Sequence, residues 1–94
     1  MQIVRSRGYL LDLQEIMEYI AKDSLEQAFK FEMDLDSKIN KLDYMPYKCR
    51  KSIYFDDKNI RDLIFKGYVV TYRIESDKIM VIAIIKYRNY REES

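Results

Sequence analysis

Histidine is absent from this 94-residue sequence, and cysteine, proline and glycine are scarce, with one, one and two copies. Without histidine, neither a Ser-His-Asp nor a Cys-His arrangement can form, and no zinc site can use imidazole ligands. A single cysteine cannot form an internal disulfide, which suits a reducing cytosol. Two glycines are too few for a G-x-G-x-x-G dinucleotide loop or a Walker loop.

Long apolar runs are missing as well. The longest spans residues 79–85, far short of the ~20 residues of a membrane-spanning helix. Residues 1–7 lack the apolar segment of a signal peptide. We therefore expect a cytoplasmic protein without a membrane partner. The chain is 48% apolar and 35% charged, which excludes a disordered protein, and its length allows one domain, residues 1–94.

Charge is balanced in total but uneven along the chain. The net charge of +1 combines six basic and nine acidic residues in residues 1–47 with eleven basic and seven acidic residues in residues 48–94. A basic second half suits an acidic partner or a phosphate backbone. Ordinary lysines and arginines on a solvated sheet edge explain the same excess, and charge alone favours that simpler interpretation.

Two amphipathic helices are predicted in the first half of the chain. Apolar residues recur at steps of three and four over residues 9–20 and again over residues 28–42. Ser6 and Ser24 stand where each helix needs an N-cap, and Gln27 is spaced to complete a capping box with Ser24. The short connection between the helices predicts an antiparallel hairpin.

Further details follow from the same half. Residues 2–5 form a short strand before the first helix, and the second helix should end near Asp43, since Pro46 stops any continuation. Phe29 and Met33 form a second apolar stripe on that helix, which we expect to face the first helix.

The second half changes to the alternation of β-strands. Residues 60–65 and 68–74 flank a Lys66-Gly67 turn, and residues 78–86 are apolar enough for a central strand covered on both faces. Residues 51–55 are either a strand or an extended loop. The order β-α-α-β-β-β predicts an α+β fold, with a helical hairpin packed on a twisted, mostly antiparallel sheet.

Several segments share a pattern with one known family. Residues 12–21 read D-L-Q-E-I-M-E-Y-I-A, residues 60–74 contain R-D-L and Y-V-V-T-Y-R-I, and residues 84–90 read I-I-K-Y-R-N-Y. In this order they resemble the RelE/ParE superfamily, the toxins of bacterial type II toxin–antitoxin pairs. The resemblance spans nearly the whole chain. It implies a toxin concerned with growth inhibition and plasmid stabilization, a cognate antitoxin that forms a hetero-oligomer with it, and no cofactor or metal.

The resemblance implies one of two targets, because the superfamily includes both ribosome-dependent mRNA nucleases and inhibitors of DNA gyrase. We expect a metal-independent mRNA endoribonuclease that inhibits translation. Gyrase inhibition is the alternative, favoured by Val69, where the nucleases carry arginine, by the missing histidine and by the near-neutral charge. A non-catalytic antitoxin-binding module is a third alternative.

Cleavage of RNA through its 2′-hydroxyl needs a proton acceptor, a proton donor and cations at the phosphate. Lysine, tyrosine and arginine can supply all three when neighbouring charge and burial shift their pKa values. With the resemblance as guide, we expect the catalytic residues to be Arg61, Arg73, Lys86, Arg88 and Tyr90. Arg88 would stabilise the phosphate, and Lys86 or Tyr90 would transfer the proton.

Two further residues are expected to bind RNA, Lys66 by its charge and Tyr87 as a stacking platform for a base. A purely structural interpretation exists for the strand arginines, in which each pairs with a neighbouring acidic residue: Arg61 with Asp62, and Arg73 with Glu75.

Overall fold

The computed structural model describes residues 1–86. In chain order its elements are β1 (Gln2–Arg5), α1 (Arg7–Ala21), α2 (Leu25–Asn40), β2 (Arg50–Lys51), β3 (Ile60–Phe65), β4 (Tyr68–Ile74) and β5 (Lys78–Lys86). The predicted α+β order is confirmed, with one added strand, because the ambiguous residues 51–55 contribute to a short β2. The second helix ends at Asn40, before the predicted Asp43.

Both helices begin at the predicted serines. Ser6 Oγ accepts a hydrogen bond from Tyr9 N at 3.0 Å, and Ser24 Oγ accepts one from Gln27 N at 3.1 Å. Each bond satisfies one of the main-chain donors that a helix leaves open at its first turn. The Ser24 N–H, which a capping box would offer to Gln27, instead donates to Ile20 O at 3.1 Å. Only half of the predicted capping box therefore forms.

The five strands lie in the order β1-β5-β4-β3-β2. β1 and β5 run parallel and all other neighbours run antiparallel, so the mostly antiparallel sheet is confirmed. β5 lies between β1 and β4, as its apolar run predicts. Lys66 and Gly67 join β3 to β4 with φ angles of 50° and 83°. Positive φ at both positions is the geometry of a two-residue hairpin turn whose twist matches the sheet.

The helical hairpin covers one face of the sheet. Both helices are amphipathic, and no helix within residues 1–86 is long and apolar enough to cross a membrane. Alternate residues of β4 and β5 point towards the helices, because successive side chains of a strand face opposite sides. The core between the two layers consists of Tyr9, Leu13, Phe31, Leu35, Ile39, Leu42, Phe65, Val70, Tyr72, Ile74, Ile79, Val81 and Ile84.

A β-bulge in β5 attaches α1 to the sheet. The pairing of β4 with β5 shifts between Thr71 and Tyr72, which leaves Ile82 as an extra residue of β5. The Ile82 carbonyl accepts a hydrogen bond from Ser6 Oγ at 2.8 Å, and Ser6 N donates to Val81 O at 3.0 Å. The residue that caps α1 is thus also bonded to the central strand, so the start of the helix is fixed over the sheet.

Tyr9 is the fully buried aromatic residue of α1, with 0% of its surface exposed. Its hydroxyl is buried and has no hydrogen-bond partner of good geometry in residues 1–86. Burial raises the pKa of Tyr9 to about 12, although the nearby Arg5 guanidinium opposes the shift. Burial also raises the pKa of Tyr72 far above its ordinary value, and the neighbouring Cys49 adds to that effect.

These pKa values predict a loss of stability in alkali. An unfolded tyrosine releases its proton near pH 10, whereas folded Tyr9 keeps it to about pH 12. The free energy of unfolding should therefore fall between pH 10 and pH 12, with Tyr9 contributing about 3 kcal/mol. In urea titrations Tyr9→Phe should lose part of this fall, yet be at least as stable as the parent protein at pH 7, because the hydroxyl that it removes is buried without a good hydrogen bond. An unchanged alkaline profile in the variant would contradict this assignment.

Candidate functional site

The predicted catalytic arginines lie on opposite faces of the sheet. Arg61 is directly across from Tyr72, a core residue, and therefore lies on the face that the helices cover. Arg73 is directly across from Ile60, the residue before Arg61 in β3. Because neighbouring residues of a strand point to opposite faces, Arg73 lies on the other side of the sheet. The structure does not bring Arg61 and Arg73 together.

The Arg61 guanidinium is bound to main-chain carbonyls. Its Nε donates to Lys58 O at 2.9 Å, and its Nη1 donates to Cys49 O at 3.0 Å and to Tyr47 O at 3.4 Å. The group also lies over the Tyr47 ring, with 4.9 Å between its central carbon and the ring centroid. Arg61 thus holds the segment that leads into β2, and the connection that follows it, against the sheet. The proposed ion pair with Asp62 is wrong, since that carboxylate pairs with another arginine.

Asp62 is a buried carboxylate that joins three strands. Its Oδ1 accepts from Thr71 Oγ1 at 3.1 Å, and its Oδ2 accepts from Arg50 Nη2 at 3.3 Å and from Ile53 N at 3.2 Å. A carboxylate withdrawn from water needs donors of this kind, and a positive charge among them. The group therefore fixes β2, β3 and β4 relative to one another. In residues 1–86 no three Cys, Asp or Glu side chains are arranged as metal ligands.

Arg73 forms the structural pair that the sequence suggests. Its Nε and Nη2 each lie 2.8 Å from Glu75 Oε2, in a two-pronged contact. Lys78 Nζ lies 3.8 Å from the other oxygen of Glu75. The arginine side chain is 44% exposed, so water screens the pair and its contribution to stability is small.

Lys66 and Lys86 do come to the same end of the sheet. Lys66 follows Phe65, which pairs with Tyr68, and Tyr68 in turn pairs with Lys86. Lys86 Nζ lies 5.0 Å from the centroid of the Tyr68 ring. Lys66 Nζ lies 3.3 Å from Asp34 Oδ2, and hydrogen bonds from Lys66 and from a second lysine lower the pKa of Asp34. Both ammonium groups are thus held by contacts within the protein.

Lys86 also shares its surroundings with acidic residues. It borders a depression of about 550 Å³, whose wall includes Asp12, Glu15, Tyr19 and Tyr68. The two carboxylates that border the same depression oppose the approach of a phosphate. Three predicted site residues lie outside the described part of the chain, and their roles stay predictions: Tyr87, Arg88 and Tyr90.

An exposed apolar surface lies on the helices, and we call it the helical face: Leu10, Leu25, Phe29 and Met33. These side chains are 50%, 61%, 52% and 70% exposed. A groove of about 400 Å³ between α1 and α2 is lined by Leu10, Leu25 and Phe29, with Glu18 and Glu32 also at its wall. The prediction that Phe29 and Met33 face α1 is therefore only partly right, since Phe29 borders the groove and Met33 lies mainly in solvent.

A second concave surface lies beside β3, and we call it the lysine pocket. It has a volume of about 540 Å³ and is lined by Lys38, Lys41, Leu42, Tyr44, Met45, Lys48, Cys49 and Leu63. This site was not predicted from the sequence. Its lysines come from α2 and from the connection after it, so they fall in both the acidic half (residues 1–47) and the basic half (residues 48–94) of the chain. Its signal in the sequence is the i, i+3 spacing of Lys38 and Lys41 at the end of a helix.

Comparison with known proteins identifies the family. Residues 3–89 match the family described as the ParE toxin of type II toxin-antitoxin system, parDE. The chain belongs to this ParE toxin family. The solved structure "Chromosomal ParDE TA system from P. aeruginosa" shares the fold, with a TM-score of 0.75 over 92% of this chain and 95% of that chain at 18% identity. No curated protein matches the chain.

Membership of the ParE family confirms the resemblance to the RelE/ParE superfamily and the toxin assignment. A ParE toxin is one component of a toxin–antitoxin pair, so an antitoxin is the expected partner.

The contacts of this ParE family member predict different effects for Arg61 and Arg73. Arg61→Ala should lower the free energy of unfolding by about 2–3 kcal/mol, because it removes charge-assisted hydrogen bonds to main-chain carbonyls. Arg73→Ala serves as a matched control and should lower it by less than about 1 kcal/mol, since its ion pair is exposed. Urea unfolding of both variants measures the difference, and equal losses would show that Arg61 does not hold the segment before β2.

Proposed function

We propose that this ParE family toxin arrests growth by binding and inhibiting DNA gyrase, and that its cognate antitoxin neutralises it. The main support is the separation of Arg61 from Arg73, two of the five predicted catalytic residues. Arg61 and Arg73 lie on opposite faces of the sheet, and each is already bound within the protein. Phosphate cleavage depends on groups held together around one reacting centre. The described residues do not form such a group.

The helical face supports a protein as the target. Its four apolar side chains are each at least half exposed, and carboxylates of Glu18 and Glu32 border the adjoining groove. Large exposed apolar patches are typical of protein–protein contact sites. The neighbouring carboxylates disfavour a phosphate backbone, which carries the same charge. This surface therefore suits a protein better than an RNA.

Ribosome-dependent mRNA cleavage is the second candidate. It is supported by the position of Lys66 and Lys86 at one end of the sheet. The predicted residues Tyr87, Arg88 and Tyr90 lie within four residues after Lys86 in the sequence. Together they would supply the cations and the proton-transfer group that the cleavage of RNA requires.

One experiment separates the two targets. The purified toxin is added to a gyrase supercoiling reaction and, in parallel, to a reconstituted translation reaction in which the mRNA is mapped at the ribosomal A site. We expect supercoiling to be inhibited and the mRNA to stay intact. Cleaved mRNA with normal supercoiling would instead establish the endoribonuclease. Normal supercoiling together with intact mRNA would instead favour the non-catalytic antitoxin-binding module.

The helical face should be needed for inhibition of gyrase. Phe29→Asp combined with Met33→Asp should weaken inhibition at least about tenfold, because charge replaces apolar side chains that typically anchor an interface. Both residues are exposed, so thermal unfolding should change little.

A matched control for this variant is Tyr54→Asp combined with Phe55→Asp, which alters two residues that are 45% and 48% exposed elsewhere on the surface. The control should inhibit gyrase as the parent protein does. Equal inhibition by the two double variants would exclude the helical face as the contact surface.

A further inference from the structure

The lysine pocket holds cations without acidic partners. Some lysines elsewhere in the described chain are paired: Lys30 and Lys66 share Asp34, and Lys78 lies near Glu75. Among residues 1–86, by contrast, no carboxylate oxygen lies within 4.0 Å of an ammonium group of the pocket lysines, Lys38, Lys41 and Lys48. Lys38 also lies in the last turn of α2, where it complements the helix dipole. That role does not account for Lys41 and Lys48, which lie beyond the helix.

The surface between these lysines is apolar and concave. Leu42 is 5% exposed, Leu63 packs against the core, and Met45 is 53% exposed. A cavity of about 150 Å³ is enough for benzene, so the pocket volume of about 540 Å³ has room for a large side chain and the chain around it. A nucleic-acid backbone would contact the lysines but leave this apolar surface uncovered. The pocket therefore fits an acidic peptide with an apolar residue better than an RNA or a DNA.

The adjoining strand edge favours an extended peptide. β2 pairs only with Arg61 and Asp62 of β3. Ile60 O of β3 accepts a hydrogen bond from Ser52 N, so the main-chain groups of Ile60 point towards β2. Main-chain groups of alternate residues in a strand point the same way, so those of Ile64 also point towards this edge of β3. Within residues 1–86 the Ile64 main chain has no partner at this edge, and its side chain is 43% exposed. An added strand would extend the sheet past the end of β2.

We propose that the lysine pocket is the docking site for an acidic, extended segment of the cognate antitoxin, an inference that rests on the proposed toxin–antitoxin pairing. An apolar side chain of that segment occupies the space over Leu42 and Leu63. Its carboxylates pair with the three lysines, and its main chain bonds to Ile64. The site is distinct from the helical face, whose neighbouring carboxylates would repel an acidic segment.

The single cysteine of the sequence provides a direct probe, because Cys49 lines the pocket and is partly exposed. The antitoxin for this test would be a small acidic protein encoded by a reading frame adjacent to that of the toxin. Alkylation of Cys49 by iodoacetamide is followed by mass spectrometry with and without this antitoxin. Saturating antitoxin should slow the reaction at least tenfold.

Charge reversal tests the lysines themselves. Lys38→Glu, Lys41→Glu and Lys48→Glu together should weaken antitoxin binding at least a hundredfold in calorimetric titration and abolish the protection of Cys49 at the same antitoxin concentration. The matched control, with Lys22, Lys51 and Lys58 changed to Glu, should bind within threefold of the parent protein. If the reversed variant unfolds, Lys38→Gln, Lys41→Gln and Lys48→Gln replace it, with at least a tenfold loss expected.

The outcomes distinguish the docking site from the proposed function. Equal affinity for the pocket and control variants, with Cys49 unprotected, would overturn the docking site while the toxin–antitoxin pairing stands. Weaker binding of the pocket variant to DNA or RNA, with antitoxin binding unchanged, would also overturn it and assign the lysines to a nucleic acid. No binding of the antitoxin by the parent protein would overturn the pairing, and the docking site with it.

Discussion

The buried carboxylate of Asp62 is the constraint on which the far edge of the sheet depends. Its side chain is fully withdrawn from solvent, and its three donors come from β2, from Ile53 two residues beyond it and from β4. A buried carboxylate that loses such a partner destabilises a protein by several kcal/mol, typically about 3–5. The position of β2, and of the connection that forms one wall of the lysine pocket, therefore follows from the need to keep this charge satisfied.

Local patterns in the sequence predict most of the elements but few of their partners. The steps of three and four in α1 and α2, the alternation in β4 and the caps at Ser6 and Ser24 all depend on near neighbours in the chain, and they were predicted correctly. The bulge at Ile82 depends on a serine 76 residues away, and no local pattern indicates it. The same limit explains the wrong partner predicted for Arg61.

The candidate sites show this limit more strongly. An arginine near the end of a strand has the same local sequence whether it contacts a substrate or, like Arg61, binds carbonyls of the preceding segment. The outward apolar stripe of α2 can be recognised in the sequence by the steps of four from Leu25 to Phe29 and Met33. Only the packing shows that the sheet covers the inward apolar stripe of this helix and leaves the outward one exposed. What remains uncovered is an apolar surface near carboxylates and a pocket bordered by lysines, and surfaces of such opposite character suit different partners.

The parallel pairing of β1 with β5 also determines when the sheet can be completed. Gln2 lies across from Lys78, so the first strand finds its partner only after most of the chain has been synthesised. Contacts between such distant residues form late and slowly, because a long loop must close before they stabilise anything. The sheet therefore cannot be completed on a short nascent chain. A chain interrupted before residue 78 lacks the residues that pair with its first strand.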